Sequence, residues 1–255
     1  MVRPKRIDQT DLLNQIKETA WQQIAENGAA ALSLRAIARA LHITAPAIYH
    51  YYPSRDDLVT ALIVDAYTSM GDAQFSALQT IAVGDHRARL LALGLAYRQW
   101  ALNHPQRYQL IFGTPLANYH APAEITAPAA ARSMVPLIDC LDTACDDGQL
   151  RLHAQGLPAH FLPQFEVWRQ NYSARHVDAL YAALVIWSRV HGWVALEIGH
   201  QFPPFLEDRD GIYQLQMTEL SETYIHPHPP LPLSPRRVSQ SGSLKGSELQ
   251  GENNV

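Results

Sequence analysis

Apolar residues recur at spacings of three and four through most of this chain, a period that predicts helices. Leu13, Ile16, Ala20 and Ile24 make one stripe. They predict a first helix over 11–27, capped by Thr10 and ended by Gly28. Leu34, Ile37, Ala38 and Leu41 predict a short second helix behind a Ser33 cap, and His42-Ile43 make a turn. Thr44 caps a third helix with Pro46 in its first turn, where the missing N–H costs little. Ile48 and Tyr52 then face inward, which leaves Ala45, Ala47, Tyr49 and His50 toward solvent. Pro53 ends that helix. Ser54 caps the next, with Asp56 and Asp57 in its first turn, and Leu58, Leu62 and Ala66 carry it to about residue 70.

Further along, Asp85 caps a helix over 86–103 with Leu90, Leu91, Leu93, Leu95 and Trp100. A shorter helix over 105–112 ends at Gly113, and 115–122 is loop. A helix over 123–144 contains Pro128 and Pro136, either of which can kink or split it. Residues 157–172 are mixed, with a Phe161, Phe165, Trp168 stripe. A long helix is predicted over 174–200. Leu180, Leu184, Trp187, His191, Val194 and Ile198 line one side, and Tyr181, Val185, Ser188, Gly192 and Ala195 the other. A helix apolar nearly all round is buried or spans a membrane. Arg189, His191 and Glu197 exclude the membrane, so burial between its own body and a second copy is expected, with Gly192 allowing close approach. Asp208 or Asp210 starts a last helix, with Leu215 and Leu220, that runs to residue 224. Residues 225–255, rich in Pro and polar side chains, cannot bury a core and read as disordered.

Two short helices joined by a tight turn make a helix-turn-helix, whose second helix fits the DNA major groove. The stretch resembles the DNA-binding domain of the TetR family of bacterial transcriptional regulators. The resemblance rests on Ser33-Leu34-Arg35, Ile37-Ala38, Leu41, Ile43, Ala47-Ile48-Tyr49 and Tyr52-Pro53-Ser54-Arg55-Asp56-Asp57-Leu58, behind a first helix ending Glu26-Asn27-Gly28. His42 departs from the family's turn glycine, and the position needs a left-handed backbone. In the C-terminal part, Arg98-Gln99-Trp100-Ala101-Leu102-Asn103-His104-Pro105, Tyr108-Gln109-Leu110-Ile111-Phe112-Gly113 and Trp187, His191-Gly192 resemble the ligand-binding domain called WHG. The resemblance spans about residues 8 to 224.

It implies an all-α chain: an N-terminal three-helix helix-turn-helix domain (11–70) followed by a larger helical-bundle domain (71–224) for effector binding and dimerisation. A basic arm (1–10) precedes them and the disordered tail (225–255) follows. The partners implied are a double-stranded DNA operator, a small-molecule effector and a second copy of the chain, with no cofactor, in the cytoplasm. The family role is repression relieved by the effector. An activator, or a helical small-molecule-binding or interaction protein without operator binding, are the alternatives.

Net charge is −4, which alone argues against nucleic acid, but its distribution does not. Residues 1–55 hold seven Lys/Arg against four Asp/Glu, a local +3 that leaves −7 on the rest. The side chains expected at DNA are Arg3, Lys5 and Arg6 of the arm, with Ser33, Arg35, Thr44, Ala45, Pro46, Ala47, Tyr49, His50 and Arg55. Arg35 reaches a phosphate or a guanine edge, and Thr44 to Ala47 meet bases. Tyr49 and His50 resemble the family's backbone-contacting positions, and Arg55 its phosphate-binding lysine. Between Thr44 and Tyr52 there is no Arg, Lys, Asn or Gln. Readout therefore leans on thymine methyls, His50 and DNA shape.

In the body, Tyr97, Trp100, Tyr108, Phe112, Trp168, Trp187 and His191 are the candidate effector-binding residues. Each is also an ordinary core residue by type. Cys140 and Cys145 suit neither a zinc site nor a redox pair. No nucleophile elbow, phosphate-cradling glycine loop or metal spacing is present, so an enzyme is not expected. No signal peptide is read at the basic N-terminus.

Overall fold

The computed structural model describes residues 9–152, 157–172 and 174–227. The chain is all-α, with ten α-helices among the described residues. Four build the N-terminal head: α1 (Gln9–Asn27), α2 (Leu34–Ala40), α3 (Ala45–Tyr51) and α4 (Arg55–Leu78). The predicted stops and starts work locally. Gly28 leaves α1 at φ 77°, and the Ser33 hydroxyl accepts from Ala36 N at 3.3 Å. His42 takes φ 55° in the turn, the left-handed backbone that its neighbours require. Ser54 and Asp57 complete a reciprocal capping box at α4. Thr10, the expected cap, falls within α1, whose described residues run from Gln9. Ile16, Ala20, Leu34, Ile37, Ile48, Tyr52, Leu58 and Leu62 close one hydrophobic core.

The helices α5 (His86–Asn103), α6 (Pro105–Phe112), α7 (Ala123–Asp146), α8 (Leu162–Tyr172), α9 (Val177–Ile198) and α10 (Arg209–Tyr224) enclose a second core. α4 serves both. It runs on to Leu78, past the expected end near residue 70, because Met70, Gly71, Gln74 and Leu78 continue its buried side against α7. α7 is one helix despite Pro128 and Pro136. Pro136 supplies no N–H to the Arg132 carbonyl one turn back, and the neighbouring Ser133 carbonyl accepts from the Gln74 amide at 2.8 Å, which ties this turn to α4. Gly94 brings α5 and α10 together, since a Cβ there would collide with Met217, and Tyr213 Oη donates to the Gly94 carbonyl at 2.7 Å.

Three expectations for the C-terminal part are corrected. α9 starts at Val177 because the buried Asp142 carboxylate accepts from the Arg175 and His176 backbone N–H groups at 2.8 and 2.9 Å, and it stops at Gly199 and His200, φ 52°. Its inward side is Leu180, Ala183, Ile186, Val190, Trp193, Val194 and Glu197. Leu184, in the expected inward stripe, is exposed instead, and so is Leu215 of α10, at 59%. The expected tail begins too early, for Ile225 is buried. It bridges to Leu150, and its carbonyl accepts from Arg87 Nε at 2.8 Å. Residues 228–255 of that tail lie outside the described residues. α9 is long and apolar enough to cross a membrane by composition, but 44% of its apolar window is buried in the chain, Arg189 pairs with Glu219, and Glu197 with Arg98.

Candidate nucleic-acid interface and ligand chamber

In the head, Ile48 and Tyr52 anchor α3 to the core, so the opposite side of α3 must face outward. Thr44, Ala45, Pro46 and His50 are exposed there, and Tyr49 is 39% exposed; Ala47 is half-buried. Thr44 Oγ1 accepts from Ala47 N at 3.4 Å, a long cap that leaves its hydroxyl proton free to donate. Arg35 and Arg39 are exposed on α2 and enter no ion pair among the described residues. Ser33 is half-buried: its side chain caps α2, and its N–H donates to Gln23 Oε1 at 3.2 Å. Arg55 is placed differently from the expectation. Its Nη2 donates to the Ala29 and Ala30 carbonyls at 2.9 and 3.3 Å, so it ties down the α1–α2 connection while sitting at the same surface. Arg3, Lys5 and Arg6 lie outside the described residues.

In the body, an apolar chamber of about 220 Å³ is lined by Tyr67, Met70, Phe112, Ala130, Ser133, Met134, Trp168, Tyr172, Leu184 and Trp187. Beside it is a recess of about 30 Å³ that includes Gln74, Gly94, Tyr97, Ile186, Val190 and Met217. The two share Met70, Ser133, Met134 and Trp187. None of these lining residues is charged.

Of the seven expected residues, Phe112, Trp168 and Trp187 line the chamber and Tyr97 the recess. Tyr108 and His191 stand behind this wall. His191 lies between Trp187 and Phe112, with ring centroids 5.0 and 4.8 Å away, and its Nδ1 faces Tyr97 Oη at 2.9 Å and Tyr108 Oη at 3.3 Å. Burial holds the imidazole below its ordinary pKa, and burial pushes Tyr97 well above that of a free phenol and Tyr108 up to about 12. At neutral pH the two phenols are therefore protonated and the imidazole between them is uncharged. Trp100 lies elsewhere. It is 4% exposed, and its Nε1 donates to Ser69 at 3.0 Å, joining α5 to α4.

Sequence reasoning missed Gln74, Tyr67, Met134 and Tyr172 in these walls. A glutamine within the Met70–Gln74–Leu78 spacing was the available signal. It also missed the link between head and body. Asp65 of α4 accepts from Trp21 Nε1 at 3.2 Å and pairs with Lys17 at 3.4 Å and with Arg107 of α6 at 3.2 Å. Arg107 also lies over the Trp21 ring at 5.1 Å. Among the described residues no group of three or more His, Cys, Asp or Glu could hold a metal ion. Burial pushes the Cys140 thiol up to about 11, which leaves it unreactive.

Comparison with known proteins bears on both regions. The family described as bacterial regulatory proteins, tetR family, matches residues 16–62, and the one described as tetracyclin repressor-like, C-terminal domain, matches 90–220. The HTH-type transcriptional regulator Rv1816 of Mycobacterium tuberculosis is 34% identical over 188 residues, which are 73% of this chain and 80% of that protein. Among solved structures, the protein SCO4313 shares 36% identity with a TM-score of 0.70, covering 86% of this chain and 98% of that one. The TetR family regulator PfmR of Thermus thermophilus has the same fold at 16% identity, with a TM-score of 0.52 over 80% of this chain and 96% of its own.

Proposed function

Because the chain belongs to the TetR family of bacterial transcriptional regulators and carries its DNA-binding helix-turn-helix, we propose that it is a repressor. It is a DNA-binding regulator and not an enzyme. It works in the cytoplasm as a homodimer on a palindromic operator and is released by a small, largely apolar effector. The observation that carries this reading is the outward side of α3, where Thr44, Ala45, Pro46, Tyr49 and His50 are offered from a capped, core-anchored helix. A helix so held docks in a major groove, and two such helices about 34–36 Å apart read successive half-sites. With few long donors on α3, one half-site binds weakly and the pair is needed.

Dimerisation is supported by α9 and α10. Leu184, Ser188, Gly192, Ala195 and Leu196 make an exposed stripe of small and apolar residues along α9, and a Cβ at Gly192 would meet nothing within 4 Å. Effector release is supported by the uncharged chamber. A ligand that prefers the conformation with mis-spaced heads weakens DNA binding in proportion to that preference.

The test is selection of bound fragments from a random DNA library by the full chain. Enrichment of a two-fold symmetric site supports the reading, and no enrichment by folded, ligand-free protein refutes it. On the selected site, Arg35→Ala should weaken binding and lower the salt slope by about one.

A further inference from the structure

The chamber and its recess can be read as a chemical template. Five aromatic side chains, Tyr67, Phe112, Trp168, Tyr172 and Trp187, enclose the larger space, and its volume of about 220 Å³ suits a two-ring molecule. Its walls offer no cation to neutralise a carboxylate or phosphate and no carboxylate to neutralise an amine. An ion brought here would lose its hydration without a partner, which is the costliest event in a dry site. The walls also hold tyrosine hydroxyls, indole N–H groups and Ser133, whose hydroxyl already donates to the Ala130 carbonyl at 2.7 Å; the amide among them is Gln74, in the recess wall and only 5% exposed.

The orientation of this amide is fixed. The Ser133 carbonyl can only accept, so the Gln74 atom 2.8 Å from it is the NH₂, which also reaches the Met70 carbonyl at 3.5 Å. Gln74 Oε1 is left as an acceptor that takes no hydrogen bond among the described residues. Oε1 is not sealed off: it keeps accessible surface, so a donor placed in the recess meets an acceptor otherwise left to water. The recess, about 30 Å³, has room for a hydroxyl or N–H but not for a ring.

We propose that the chamber selects an uncharged, flat apolar molecule carrying one hydrogen-bond donor, with its ring system among the five aromatic side chains and its donor directed to Gln74 Oε1. This deepens the effector reading and rests on it for its biological meaning. The binding chemistry itself stands on the cavity alone.

The test is calorimetric titration of the full chain, without DNA, with four probes of one ring system: naphthol, naphthalene, naphthoate and naphthylmethylammonium. Naphthol should bind at least about fivefold more tightly than naphthalene, as a buried hydrogen bond would give. Both ions should bind at least about tenfold more weakly than naphthol. In Gln74→Met the ratio of naphthol to naphthalene should fall to within about twofold while naphthalene affinity is kept. Either ion binding as tightly as naphthol overturns the proposal. So does naphthalene matching naphthol in the unaltered chain, or none of the four binding. The probe ranking uses the unaltered chain, so it decides the matter even if the variant fails to fold. Release from operator is measured separately. Naphthol that binds as described but never releases DNA refutes the effector reading and leaves the ligand chemistry standing.

Discussion

The Arg98–Glu197 pair gives the sharpest test of how the body is held together. Arg98 Nε and Nη2 donate to the two Glu197 carboxylate oxygens, both at 2.7 Å, in a bidentate fork that joins α5 to α9. Nη2 also donates to Asp210 of α10 at 2.5 Å, and the guanidinium lies 5.1 Å from the Tyr213 ring centroid. Glu197 is 8% exposed, whereas the Asp210 side chain is 81% exposed. The two acids are therefore unequal. Removing the cation by Arg98→Met leaves the Glu197 carboxylate buried and uncompensated, a loss of about 3–5 kcal/mol. Glu197→Leu leaves Arg98 with Asp210 at the rim, so about 2–3 kcal/mol is expected. Asp210→Asn touches an exposed pair and should cost about 0.5 kcal/mol or less. The double variant Arg98→Met/Glu197→Leu buries no lone charge. It should lie within about 1 kcal/mol of the starting protein, which makes the coupling energy about 4–9 kcal/mol. Urea titrations followed by far-ultraviolet circular dichroism, with unchanged slopes, give all four corners of the cycle. Additive single costs would refute the reasoning, and so would an Asp210→Asn cost equal to that of Glu197→Leu.

Three further outcomes follow from single positions. His42 sits at φ 55° in the turn of the helix-turn-helix, so His42→Gly should raise stability by about 1 kcal/mol, read as a rise of about 2–4 °C in melting temperature. A Cβ at Gly192 would meet nothing within 4 Å in the chain, so the side chain of Gly192→Arg starts out into open space. The variant should keep or improve folding by up to about 1 kcal/mol, halve the mass measured by light scattering, and abolish operator binding. Burial holds His191 and His104 below the ordinary histidine pKa, so the unfolded chain takes up protons near pH 6.5 that the folded chain refuses. Their contribution is full above about pH 6.5 and is lost on acidification, and His191→Phe should flatten that fall by up to about 1.4 kcal/mol per pH unit, measured by urea midpoints at several pH values.

The head is legible in the sequence because its signals are local. Ser33, Thr44 and Ser54 each cap the helix that follows them, Gly28 and His42 turn the chain, and Ile48 with Tyr52 fixes which side of α3 faces out. The chamber is assembled differently. Tyr67 comes from α4, Phe112 from α6, Met134 from α7, Trp168 from α8 and Trp187 from α9, and no spacing within one helix announces that they meet. Arg98 and Glu197 are 99 residues apart, and each looks like an ordinary surface charge until α5 and α9 are packed. Periodicity separates apolar from polar sides but does not say what an apolar side will meet. Leu220 packs into the chain's own core while Leu215, on the same helix, is left outside.

The two regions are mechanically joined by α4 and α6. α4 begins in the head core with Leu58 and Leu62 and ends in the body with Met70 and Gln74, so a rigid helix carries any tilt of one end to the other. α6 touches both regions within two turns. Tyr108 faces His191 and Phe112 lines the chamber, while Arg107 grips Asp65 and Trp21, and Leu110 and Ile111 pack on the head core. Tyr119, just beyond α6, shares a hydrogen bond with Thr60 of α4 at 2.9 Å. Tyr67 stands in the chamber wall and also lines the cleft beneath the head with Leu110, Leu116 and Tyr119. A molecule wide enough to displace Phe112 or Tyr67 must therefore strain the Asp65 contacts or move the head with α6. Close-packed contacts of this kind have few intermediate arrangements, and this is the route by which, under the proposed reading, a ligand in the chamber would change the spacing of the two α3 helices.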